Sequence, residues 1–84
     1  MEHQPTLEQE RVRALAHSLD CLPEDDVGLL AKVTQSTLEN WRKRGTGPAY
    51  VLIGNRYLYP RAAVAAFIQS NVRERRVALA KEML

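Results

Sequence analysis

Apolar residues recur along this chain in helical stretches, broken once by an alternating one. Val12, Leu15, Ala16, Leu19 and Leu22 follow helical spacing. Thr6-Leu-Glu-Gln9 ahead of them is a capping-box pattern, in which the threonine oxygen takes the Gln9 amide and the glutamine reaches back. The pattern predicts a helix from about 6 to 20, stopped before Pro23. Pro23, followed by Glu24, Asp25 and Asp26, marks a second start. Proline suits the first helical position, and acids favour the positive end of the helix dipole. Val27, Leu30 and Ala31 supply its apolar stripe. Gly28 within that stripe costs about 1 kcal/mol against alanine. It is either a close-crossing point for another helix or simply tolerated. Thr34 is the next N-cap. It predicts a helix over 35–44, with Leu38 and Trp41 on one face and Gly45 as its stop. The short link between these two helices is the form of a helix-turn-helix.

The period then changes. Residues 45–49, Gly-Thr-Gly-Pro-Ala, read as a loop. Residues 50–53 and 56–59 are rich in β-branched and aromatic side chains and flank Gly54-Asn55, which predicts a hairpin. Its register has two solutions. With a three-residue loop through Arg56, Val51, Ile53, Tyr57 and Tyr59 share one face. Leu52 and Leu58 then form an exposed pair on the other, a candidate protein contact. A two-residue loop, Gly54-Asn55, dissolves that pair. Pro60 opens a last helix with Val64, Phe67 and Ile68 as its inner face. Val72, Leu79 and Met83 extend the stripe, interrupted by Arg73, Arg75 and Arg76. Unbroken from 60 to 83, that helix would run about 36 Å. A core of this size cannot cover it, so a projection or a break near Asn71 is expected.

Length bounds the rest. Eighty-four residues allow one small domain with a modest core. The chain is 45% apolar and 26% charged, a folded rather than a disordered balance. A single cysteine, Cys21, excludes an intrachain disulfide framework and a four-thiolate metal site. No apolar run approaches the roughly 18 residues of a membrane helix. The N-terminus is not basic and leads into no apolar core, so no signal peptide is expected. A reducing cytoplasm is the expected setting.

The net charge of +2 hides a division. Residues 1–31 hold two basic and seven acidic residues, a net of −5. Residues 32–84 hold ten basic and three acidic, a net of +7. A basic half of this kind points to a polyanion, most often nucleic acid, although a solvated charged surface has the same composition. The 35–44 helix adds detail. With Leu38 and Trp41 inward, Ser36, Glu39, Asn40 and Lys43 face outward and Gln35 leads. Gln and Asn bond adenine bidentately, and Ser donates or accepts. Lys43, with Arg42 and Arg44 beside it, suits phosphates. Glu39 either accepts from cytosine or pairs with Lys43 one turn on, and the pair is favoured. One α-helix fits the B-form major groove, and a hairpin tip reaches the adjacent backbone or minor groove.

From Asp26 to Ile68 the chain resembles the MerR-type winged helix-turn-helix, in the minimal form of mobile-element excisionases and small bacterial regulators. The matching residues run from Val33 to Gly45, then Gly47-Pro48, Tyr50-Val-Leu-Ile-Gly-Asn-Arg56, Tyr59-Pro-Arg61 and Phe67-Ile68. The resemblance covers about half the chain and is specific as a combination rather than in any one piece. It implies a mainly α fold with a small β-hairpin, a winged helix-turn-helix carrying an extra N-terminal helix. Residues 1–22 would be that helix, 23–70 the DNA-binding domain, and 71–84 a basic helical tail. It further implies sequence-specific binding of double-stranded DNA, with the 35–44 helix in the major groove and the wing, about 50–59, touching DNA through its tip. By position, Gln35, Ser36, Thr37, Asn40, Arg42, Lys43 and Arg44 become base or phosphate contacts. Asn55 and Arg56 become wing contacts, and Arg61 a backbone contact or an ordinary surface arginine. Trp41 and Tyr59 become core residues. Lys32 stands where the family commonly has a turn glycine, so it takes a positive φ at some cost or the turn is longer.

The function expected from this resemblance is that of an excisionase in a bacterial, nucleoid-associated setting. It would bind adjacent sites cooperatively and bend DNA so that a separate integrase assembles an excisive complex. Self-association on DNA and an integrase are the expected partners, with no membrane, small-molecule ligand or cofactor. A small transcriptional regulator of the same fold is the alternative, and a winged-helix protein-interaction module is the alternative from another class. No ligand-sensing domain or long coiled coil follows in the sequence, which weighs against an effector-gated activator, and the chain reads as a minimal winged helix. No P-loop, dinucleotide fingerprint or nucleophile elbow is present, so no enzymatic activity is expected. His17 and Cys21 have metal-ligand spacing, with Asp20 as a possible third, but two ligands are insufficient and no metal site is expected. Cys21 reads instead as a small packed hydrophobe. The acidic first helix is expected to face away from DNA or to meet the basic tail of a neighbouring protomer.

Overall fold

A computed structural model describes residues 6–73. The elements run α1 (Leu7–Ser18), β1 (Cys21–Pro23), α2 (Glu24–Ala31), α3 (Gln35–Arg44), β2 (Val51–Ile53), β3 (Arg56–Pro60) and α4 (Arg61–Ser70). The order is that of a winged helix-turn-helix, mainly helical with a small antiparallel sheet. The N-terminal capping box forms as the sequence predicts. The Gln9 amide donates to Thr6 Oγ1 at 3.1 Å, and the Thr6 amide donates to Gln9 Oε1 at 2.7 Å. α1 ends at Ser18, because Asp20 turns the chain with a φ of 63°.

The predicted hairpin is part of a larger sheet. β1 pairs antiparallel with β3 in the register Cys21↔Pro60, Leu22↔Tyr59 and Pro23↔Leu58, giving the strand order β1-β3-β2. Pro23 is tolerated because β1 is an edge strand. It also serves as the N-cap of α2, one position earlier than the sequence reading places it. β2 and β3 pair as Val51↔Leu58, Leu52↔Tyr57 and Ile53↔Arg56, which closes the hairpin with the two-residue turn Gly54-Asn55. Gly54 takes a φ of 63°, a conformation glycine adopts without the Cβ penalty. Directly opposed residues share a face. Leu52 therefore sides with Tyr57, while Leu58 sides with Val51. The exposed leucine pair does not exist, and Leu58 is buried.

Two packing regions meet at the sheet. On one face, Tyr59 joins Val27, Leu38 and Val64 in the core, with Leu22, Val33, Trp41 and Tyr57 packed against it. Trp41 meets Phe67 with ring centroids 5.4 Å apart. A Cβ on Gly47 would lie 2.7 Å from the Trp41 ring, so the loop backbone itself forms the lid over the indole. Gly28 is buried where α2 and α3 cross, and a Cβ there would lie 3.3 Å from Leu38 Cδ1 and from the Val33 carbonyl oxygen. The close-crossing reading of Gly28 therefore holds. α1 packs along β1, buries Ala16 and, through Gln9 and Arg13, borders a groove shared with α2 and the start of α3. Its predicted apolar stripe is wider than the surface that receives it, and Leu15 and Leu19 remain exposed.

The turn between α2 and α3 is short, and Lys32 takes the left-handed conformation at φ 59° and ψ 47°. The Lys32 and Val33 amides satisfy the last carbonyls of α2, those of Leu29 and Gly28. A non-glycine residue in this conformation costs roughly 1 kcal/mol. α4 stops at Asn71, whose side-chain amide donates to the Phe67 carbonyl at 2.8 Å. Ile68 is exposed rather than inward. It lines an open apolar groove of about 260 Å³ with Leu30, Ala31 and Phe67. Leu79, Met83, Arg75 and Arg76 lie outside the described residues.

Candidate nucleic-acid interface

α3 divides cleanly into an inner and an outer surface. Thr34 caps it by accepting from the Thr37 amide at 3.2 Å, and Gly45 ends it in the left-handed conformation. Leu38 is 1% exposed. Gln35, Ser36, Glu39, Asn40, Lys43 and Arg44 are all exposed. Ser36 and Asn40 lie one turn apart, as helical neighbours. Glu39 and Lys43 form the favoured i,i+4 pair, at 3.3 Å. Thr37 is half-buried, and its hydroxyl lies 3.2 Å from that of Thr34, so it turns toward the cap.

Arg42 departs from the expectation of a phosphate contact. Its side chain is only 12% exposed and points inward. The guanidinium is paired with Glu24, donates to the Tyr59 hydroxyl at 3.2 Å, and stacks over the Tyr57 ring at 3.7 Å from the centroid. Burial works against its charge, but the hydrogen bonds to Tyr59 and Glu24 outweigh that, and its pKa is raised above the usual arginine range. Burial also raises the Tyr59 hydroxyl above the ordinary tyrosine range, against the opposing pull of Arg42. Glu24, from the first position of α2, was not singled out by sequence. Its Oε1 accepts from Gln35 Nε2 at 2.8 Å, while its Oε2 holds Arg42. Helical spacing carried part of this signal, because Arg42 follows Leu38 at i+4 and shares its face.

The wing and its flank carry three further candidates. Asn55 is exposed in the hairpin turn. Arg56, beside it, places a guanidinium nitrogen 3.3 Å from Glu8 Oε2 of α1. Arg61, the first residue of α4, lies 3.3 Å from Asp20 Oδ1, and its amide donates to the Asp20 carbonyl at 2.8 Å. The acidic helix thus meets the protein's own wing. Both ion pairs are exposed and are worth at most about 1 kcal/mol.

The remaining sequence candidates have structural partners. His17 Nε2 lies 3.1 Å from Asp26 Oδ2, and Arg13 Nε donates to Asp26 Oδ1 at 2.9 Å. Cys21 is a half-buried strand residue. Among the described residues, no group of three or more His, Cys, Asp or Glu is placed to hold a metal ion. No helix among them is long and apolar enough to cross a membrane.

No curated protein and no solved structure matches the chain. A family model, that of a helix-turn-helix domain, matches residues 25–72. The match runs from the start of α2 past the end of α4, leaving α1 and β1 outside. Covering more than half of the chain and all but the first residue of the α2–α3 pair, it shows that this protein belongs to the helix-turn-helix domain family, a family of DNA-binding domains.

Proposed function

We propose that this protein binds double-stranded DNA sequence-specifically and acts as an excisionase of the MerR-like winged type. In this reading α3 enters the major groove and the wing touches the flanking backbone. The observation that carries it is the division of α3. One face is sealed by Leu38, and the other presents Ser36, Asn40 and Lys43 to solvent with no apolar residue among them. A helix with that outer face fits the hydrogen-bonding pattern of base edges. Gln35, Ser36 and Asn40 read bases, and Lys43 and Arg44 neutralise phosphates. Thr37 supports the helix start. Asn55 and Arg56 meet DNA from the wing, and Arg61 from the start of α4. Residues 23–70 form the DNA-binding unit, 1–22 support it, and the basic tail from 71 adds backbone contacts. Adjacent protomers bend the DNA, and an integrase completes the excisive complex. The setting is the bacterial nucleoid, and the protein itself performs no catalysis.

The test begins with selection of a preferred site from a random duplex library, followed by binding measurements across salt. Asn40→Ala is expected to lose about 1–3 kcal/mol on that site and to relax discrimination at one base pair. Lys43→Ala is expected to weaken all duplexes alike and to reduce the salt slope by about one. Absence of binding to any duplex at low salt would leave a protein-interaction module. Site-specific binding without stimulation of excision by the cognate integrase would leave a small transcriptional regulator.

A further inference from the structure

We infer that Glu24 is a positioning residue for DNA reading: it orients the Gln35 amide for adenine and ties that orientation to the wing. The inference rests on the proposed function above. Three observations combine to carry it. Glu24 sits at the first position of α2, 13% exposed, with both carboxylate oxygens engaged by α3. Gln35 leads α3 and is itself exposed, yet its Nε2 donates to Glu24 Oε1 at 2.8 Å. The other oxygen holds Arg42, which stacks on Tyr57 and bonds Tyr59, both residues of the wing strand β3.

The chemistry follows from the inventory of an amide. A carboxylate only accepts, so it selects the rotamer that turns the Gln35 NH₂ toward it and rejects the flipped one. One N–H is then committed to Glu24. The second N–H and the carbonyl oxygen remain free, which is the donor–acceptor pair that matches adenine N7 and N6 in the major groove. A free glutamine on a helix end would have to freeze its rotamers on binding, at an entropic cost. Glu24 removes that cost and penalises the opposite amide orientation. Through Arg42, the same carboxylate joins the first and last turns of α3 to β3. The reading helix and the wing are thereby set as one unit.

The experiment compares the full chain with Gln35→Ala, Glu24→Gln and the double variant. Binding is measured on the selected site and on its single-base-pair variants, and the Gln35 side-chain amide is followed by NMR in the free protein. In the wild type, the two amide protons are expected to be well separated in shift, and Glu24→Gln should draw them together. Gln35→Ala and Glu24→Gln should each reduce discrimination by roughly five- to tenfold at the same single A·T pair, leaving other positions unchanged. The double variant should be no less discriminating there than Gln35→Ala alone. A Glu24→Gln chain that weakens all sequences equally, or that keeps its preference at the Gln35 position, overturns the inference while the DNA-binding reading stands. A wild-type chain that binds no duplex overturns both. If Glu24→Gln fails to fold, Glu24→Met with Arg42→Met removes both charges together and is read in the same way.

Discussion

α1 and α3 are both short helices capped by a threonine, and they are fixed to the same sheet by opposite means. α3 lies on the face of Tyr57 and Tyr59, with Leu38 sealed beneath it and Arg42 held by Glu24, the Tyr57 ring and the Tyr59 hydroxyl. α1 lies along β1, where it buries Ala16 and leaves Leu7, Leu15 and Leu19 exposed. Its remaining ties are polar: Arg13 and His17 to Asp26, Gln9 to Asp25, and Glu8 to Arg56. Dry packing is insensitive to salt, whereas exposed ion pairs weaken as salt rises. The helix inside the family match is therefore held by the core. The helix outside it rests on a single buried alanine, its contacts along β1 and a set of polar ties, and it is expected to loosen before the rest unfolds.

That contrast sets a graded series of tests. The largest effect is expected from Leu38→Ala, which should cost about 2–5 kcal/mol and lower the whole denaturation transition. A loss confined to α3 would break the contrast. Next come the two caps, each worth about 1 kcal/mol. Thr34→Ala should lower the global midpoint. Thr6→Ala should instead fray α1, read as faster amide exchange over residues 10–16 with little change elsewhere. Asp26→Ala removes the acceptor shared by Arg13 and His17 and should cost up to about 1 kcal/mol, less in high salt. Hydrogen exchange should again show the loss in α1 rather than in α3. The smallest change is a gain. Lys32→Gly relieves the left-handed strain, less the added freedom of the unfolded chain, for a net stabilisation of about 0.5 kcal/mol by chemical denaturation.

Much of this was legible in the chain because its signals are local. Thr34 and Gly45 bound α3 where the sequence places them, since caps act within a turn of the helix end. Lys32 revealed its strain by standing where a glycine is usual. Gly28 marked a crossing that only the structure could distinguish from tolerance. What escaped was set at long range. β1 has three residues and no alternation, and it is a strand only because β3 comes to lie beside it. The wing register turned on a single residue of loop length, and that residue decided which face received Leu58. Arg42 looked like one of three equivalent cations after Trp41. Its neighbours Glu24, Tyr57 and Tyr59 arrive from segments on either side of α3, so composition alone assigned it to phosphate. The stripe of α1 overstated burial because spacing reports which face is apolar, not how much surface waits to cover it.

The pairing of Cys21 with Pro60 has a consequence in time as well as in space. α2, α3 and the β2–β3 hairpin are built from neighbours in sequence and can form early. β1 must wait until the two ends of the intervening chain meet, and closing a loop of that length carries an entropic cost of its own. The last stitch in folding is thus expected between residues 21–23 and 58–60, fastening the helix-turn-helix inside a closed loop of chain.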